Sequence, residues 1–187
     1  MNIAVRLDAQ ANAETARFTA ADYLRLADTG VLKDVRIELV RGELIKMMPS
    51  GFAHGEANVT VAVKLVPAYR GRAGVASDLM VRVGPDTIRA VDIAVVKPDV
   101  ARRGAVGAAD LLLAVEVAVS SAKRDLIEKR AEYAAAGIPT YWVVDPEAEV
   151  TYVFSDPQDG DYRGEAQVRF DEPLTLPVVG GAIIIAE

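Results

Sequence analysis

The stretch from Leu111 to Asp145, LLLAVEVAVSSAKRDLIEKRAEYAAAGIPTYWVVD, constrains this chain most. It opens on a run, Leu111 to Val119, that is apolar except for Glu116. It then passes through Ser120-Ser121 into a helix-patterned segment and closes on the β-rich YWVVD. The pattern predicts strand, helix, strand. A strand that is apolar nearly throughout is buried on both faces, where an ionised carboxylate costs several kcal/mol unless a metal, a cation or several donors meet it. Glu116 therefore requires a partner. The following helix offers Asp125, Lys129 and Tyr133 at i, i+4 and i+8. That spacing sets three side chains along one face, able to turn back on the strand end.

A second strand repeats the oddity. Three β-patterned runs follow one another, VASDLMVRVG, IRAVDIAVV and LLLAVEVAV, and the middle one carries Asp92 inside an apolar context. One buried acid can be satisfied by an arginine such as Arg89. Two acids on neighbouring strands suggest like charges gathered around a divalent cation, the alternative being two separate structural ion pairs.

Composition narrows the chemistry. The 187 residues, 51% hydrophobic, suit one domain with a full core, expected over 17–187 behind a poorly ordered lead-in at 1–16. With no cysteine and one histidine, thiolate and multi-histidine metal sites are excluded within one chain, which leaves oxygen-ligand chemistry. No secretory signal pattern and no long apolar run is present, so a cytoplasmic protein with no membrane association is expected. A net charge of −6 and a pI near 4.9 argue against a broad nucleic-acid-gripping surface. Basic pairs at Arg70/Arg72, Arg102/Arg103, Lys123/Arg124 and Lys129/Arg130 leave room for a local groove, lined by some of them, that accepts a phosphate backbone, although solvated loop charges describe most of them better.

Elsewhere the sequence predicts a helix from an N-capping Thr19, with Gly30 past its end, and a hairpin over Val35–Met48 turning at Arg41-Gly42. Within the hairpin, Glu38 alternates against Ile37 and Leu39, so it faces either a site or the solvent of an edge. Glu43 beside the turn reads as exposed. After the break at Pro49-Ser50-Gly51, a helix is expected from His54 to Val66 with Val59, Val63 and Val66 on its apolar stripe, then a basic loop over Pro67–Gly74. His54, alone at a helix entrance, reads as a capping or packing residue more readily than as a ligand. Tyr141 and Trp142 alternate within a strand and read as core. A strand pair around Asp145-Pro146 and a β-rich tail complete an α/β chain with a mixed sheet and helices against it.

The runs ELVRGELIKMMPSGFAHG, VDIAVV and AVEVAVSSAKRDLIEKRAEYAAAGIPTYWVVDP resemble the Uma-two family of restriction-endonuclease-like proteins, within the PD-(D/E)XK nuclease superfamily. The resemblance covers the chain from Phe18 on. It implies a restriction-endonuclease-like core, a mixed central sheet flanked by helices with additional β-hairpins and the acids gathered at one edge. Asp92 is similar to the motif's Asp, Glu116 to its second acid and Glu38 to an extra acid of the first hairpin. The lysine expected two residues after Glu116 is absent, since Ala118 stands there, and Lys129 on the helix takes its place. Val91 stands where a proline is frequent.

What this implies is phosphodiester hydrolysis on DNA by Mg²⁺, with Mn²⁺ as a substitute. Asp92, Glu116 and the backbone carbonyl of Val117 would hold the ion, and Lys129 would orient water or neutralise developing charge. Glu38 would ligate directly or through water, and a homodimer would suit cleavage of both strands. Two other classes stand beside this one. The first is an inactive nuclease fold serving as a binding scaffold. The second is an interaction protein that self-associates through edge strands of the tail around Ile183, Ile184 and Ile185.

Overall fold

The computed structural model describes residues 15–101, 103–119 and 123–186. Most of the lead-in, the Ser120-Ser121 junction, Ala122 and Arg102 lie outside the described residues. Helix α1 spans Ala20–Asp28, and Thr19 caps it through a reciprocal box with Asp22, as the sequence implies. Strands β1 (Ile37–Val40) and β2 (Glu43–Lys46) form the first hairpin. Its turn needs positive φ at both Arg41 (51°) and Gly42 (82°), and a Cβ added at Gly42 would stand 2.8 Å from the Arg17 Cβ.

Helix α2 spans Phe52–Tyr69, longer than expected at both ends, with Pro67 inside its last turn, so the basic loop is shorter than the sequence suggests. Its buried stripe is Val61, Leu65 and Tyr69, whereas Val59, Val63 and Val66 are 63%, 57% and 46% exposed. The expected stripe is thus the wrong one. Valine and alanine occupy both sides of this helix, so periodicity does not choose a face. The choice falls to Leu65 and Tyr69, the latter donating its hydroxyl to the Pro177 carbonyl at 2.8 Å.

The remaining elements are β3 (Gly74–Arg82), β4 (Ile88–Val96), the short β5 (Val106–Gly107), β6 (Leu111–Val117), a π-helical turn over Arg124–Lys129 and α3 (Arg130–Ala135). They are followed by β7 (Thr140–Asp145), β8 (Val150–Gln158), β9 (Asp161–Arg169), β10 (Leu174–Thr175) and β11 (Ala182–Ile183). The main sheet runs β2-β1-β4-β6-β7-β8-β9, with β3 also paired to β4 and to β5, and β10-β11 form a small separate sheet. Among the described residues only β6-β7 and β3-β5 are parallel. The β6-β7 pair is the predicted strand–helix–strand unit.

Each face of the sheet carries a core. Ala94, Ala114, Tyr133, Tyr141, Val143 and Phe154 pack on the α3 side. Leu65, Ile93, Val115, Val117, Trp142 and Val144 pack on the α2 side. Tyr141 and Trp142 are fully buried, as expected of core residues. Ile185 is buried in the second core while Ile184 is exposed, so the tail does not offer three isoleucines to a partner. Among the described residues no helix is long and apolar enough to cross a membrane.

Burial leaves a signature in alkali. Tyr23, Tyr69, Tyr133, Tyr141 and Tyr162 are all held above the ordinary phenol value, chiefly by desolvation, Tyr69 at about 12. The folded protein thus keeps phenol protons that the unfolded chain sheds near 10.0. Stability is therefore expected to hold below about pH 10 and to fall as the pH rises through about 12. Urea midpoints measured alongside phenolate absorbance check this, and a midpoint unchanged at about pH 11.5 would contradict it.

Candidate active site

The sheet is incomplete at one place. Along one side of β4, β1 pairs at Leu39↔Ile88 and β6 begins at Ile93↔Val115, so the residues between have no strand partner on that side among the described residues. A cavity of about 840 Å³ opens there, bordered by Glu38, Ala90, Asp92, Glu116, Val117 and Lys129. The four side chains singled out in the sequence, Glu38, Asp92, Glu116 and Lys129, thus line one space.

Glu116 meets the helix that follows it. Lys129 Nζ stands 2.8 Å from Glu116 Oε2 and 3.3 Å from Asp125 Oδ1, and the Tyr133 hydroxyl donates to Glu116 Oε1 at 2.6 Å. All four side chains are buried. The π-helical turn carries Asp125 and Lys129, and such turns concentrate at functional sites. Tyr141, edge-on to Tyr133, holds the Asp125 carbonyl with its hydroxyl at 3.0 Å. Burial acts to raise the Glu116 carboxyl above its ordinary value, and Asp92 and Asp125 add to this, while the Lys129 ammonium 2.8 Å away pulls against it and favours the carboxylate. Desolvation works to lower the Lys129 ammonium, but Glu116, Asp125 and Glu38 outweigh it and keep it above its ordinary value. Lys129 makes both the expected contact to Glu116 and the simpler i, i+4 contact to Asp125.

Asp92 has a different set of partners. The arginine proposed for it, Arg89, points elsewhere, and His54 takes that place with Nε2 3.1 Å from Asp92 Oδ2. The same oxygen accepts the Val117 backbone N–H at 2.9 Å. Burial acts to raise Asp92, and the hydrogen bonds from His54 and Val117 overcome it, so the carboxylate sits below its ordinary value. His54 belongs to the first turn of α2, and the sequence reading underweighted it. The available signal was position: the single histidine directly follows the break after an acid-bearing hairpin.

Glu38 is buried rather than solvent-facing. Its Oε2 accepts from Arg89 Nη1 at 2.9 Å and its Oε1 accepts from the Ala90 backbone N–H at 3.1 Å, filling the ladder gap. Arg89 turns its other edge to Glu132 on α3, with contacts of 2.8 and 2.9 Å. Sequence reasoning missed this network, whose only signal was Arg89 within a buried strand. Glu43 lies at the surface against Arg17.

Among the described residues no three histidine or acidic groups already converge as a metal cage. Mg²⁺ does not need one, since it is commonly held by one or two carboxylates with water filling the remaining positions. Asp92 and Glu116, hard oxygen donors on adjacent strands at the wall of one cavity, fit that requirement.

A mixed sheet with helices on both faces, carrying an acid on each of two neighbouring strands beside a helix lysine, is the architecture that the resemblance to restriction-endonuclease-like proteins implies. The chain belongs to the Uma2 family, described as "Putative restriction endonuclease", whose model matches residues 20–186. It is also similar in fold to the crystal structure of a "putative nuclease belonging to DUF820" from Anabaena variabilis ATCC 29413. That similarity has a TM-score of 0.69 at 16% identity and covers 90% of this chain and 95% of the other. No curated protein matches this chain.

Proposed function

We propose that the cavity is the active centre of a Mg²⁺-dependent endonuclease acting on DNA, with Mn²⁺ as a substitute ion. The observation that carries this reading is the meeting of Asp92, Glu116 and Lys129 in the gap between β1 and β6. Asp92, Glu116 and the Val117 carbonyl would hold the ion, which when bound supplies a water acidic enough to attack at neutral pH and charge for the phosphoryl oxygens. Lys129 keeps its ammonium beside Glu116, where it can orient water and offset negative charge. Glu38, held by Arg89, adds negative charge that keeps Lys129 protonated. The cavity floor is acidic, while Arg36, Lys46, Lys123 and Arg124 border it, an arrangement suited to a phosphate backbone approaching a cation. Family membership supports the reaction class.

The test is calorimetric titration with Mg²⁺ and Mn²⁺ beside a cleavage assay on plasmid and single-stranded DNA. Wild-type protein is expected to bind the ion and nick DNA, and Asp92→Ala to lose both, with a rate loss of about 10³-fold or more. Absence of binding at millimolar metal in folded protein would sink the reading and favour the scaffold.

A further inference from the structure

The single histidine of the chain stands against the aspartate of the metal site. His54 Nε2 lies 3.1 Å from Asp92 Oδ2, and the side chain is one-fifth exposed, 19%, at the border of the cavity that also receives Glu116. Asp92 Oδ2 already accepts the Val117 N–H. Two donors therefore fill the two acceptor positions of that one oxygen, which fixes the carboxylate against the imidazole. The separation has a second meaning. Ligand atoms at neighbouring corners of a six-coordinate ion, each about 2.1 Å from the metal, lie about 3 Å apart. The His54–Asp92 edge has that length, with no change of backbone needed to reach it.

Resting on the metal-site reading above, we propose that His54 is a ligand of that ion. The centre then has two carboxylates and one imidazole; it still accepts Mg²⁺ as its working ion, but binds a first-row transition ion, Mn²⁺ or Co²⁺, more tightly. Mg²⁺ seeks oxygen and keeps its water, whereas imidazole nitrogen adds affinity along the transition series. Helix α2 supplies this ligand from outside the two strands that carry the acids. The rigid first turn after Gly51, rather than a loop, sets where the nitrogen stands.

The experiment loads the full chain with Mn²⁺ and reads nitrogen hyperfine coupling by pulsed electron paramagnetic resonance, with and without heavy-nitrogen labelling of histidine. Calorimetry with Mg²⁺, Mn²⁺ and Co²⁺ is run on wild type and His54→Ala. Directly bound nitrogen is expected in wild type and absent in the variant. Mn²⁺ and Co²⁺ affinity should fall about tenfold or more on substitution, with Mg²⁺ affinity nearly unchanged. A bound ion without nitrogen coupling overturns the ligand role and leaves the carboxylate site standing. Equal weakening of all three ions overturns it too, because a residue that merely positions Asp92 would act on each alike. No binding of any ion by wild type overturns both this inference and the metal reading beneath it. The labelled wild-type spectrum needs no substitution, so a His54→Ala protein that fails to fold leaves the test decisive.

Discussion

Arg89→Ala is expected to destabilise the protein by about 3–5 kcal/mol, the range found when one partner of a buried ion pair is removed. Arg89 is 3% exposed and lies between Glu38 at 2% and Glu132, whose side chain is 15% exposed. Its removal leaves two carboxylates short of their cation. One of them also accepts the Ala90 N–H inside the sheet. The loss should appear as a lower urea midpoint at neutral pH. Much of it should return in an Arg89→Met, Glu38→Gln, Glu132→Gln triple variant, where no charge is left uncompensated. A loss under about 1 kcal/mol for Arg89→Ala would mean that water reaches these carboxylates.

Lys129→Met should be as damaging to stability, about 3–5 kcal/mol, and should abolish cleavage as well. The ammonium is buried and serves Glu116 and Asp125 together. A double-mutant cycle with Glu116→Gln separates the two effects. Glu116→Gln relieves a buried charge, so the double variant should recover at least about 2 kcal/mol relative to Lys129→Met. Cleavage should stay absent in every corner of the cycle that lacks either residue. Additive stability losses would show that Lys129 and Glu116 do not depend on each other. Full cleavage by Lys129→Met would remove the lysine from the chemistry.

The sequence was most informative where contacts are close along the chain. Asp125, Lys129 and Tyr133 sit on one helix, and Glu116 lies only seventeen residues before Tyr133, so periodicity suffices to bring them together. The acids themselves stood out because each interrupts an apolar strand. Their distant partners did not. His54 and Asp92 are separated by 38 residues and Arg89 and Glu132 by 43, and nothing local marks either pair. The restriction-endonuclease-like architecture came from the family resemblance, since the residues alone gave only a mixed sheet with helices. The face of α2 was misjudged because Val59, Val63 and Val66 are as apolar as the residues it buries. The π-helical turn and the two-residue β5 carry no pattern that separates them from an ordinary helix or loop.

One missing seam in the weave of the sheet has a further consequence. Where β1 leaves β4 and β6 has not yet joined it, a carboxylate from Glu38 stitches the Ala90 amide in place of a neighbouring strand. A continuous strand in that position would close the sheet and wall off Asp92. The doorway to the acids is therefore cut by topology, and side-chain chemistry keeps its frame from fraying. A chain that mended the seam with backbone would keep its fabric and lose its entrance.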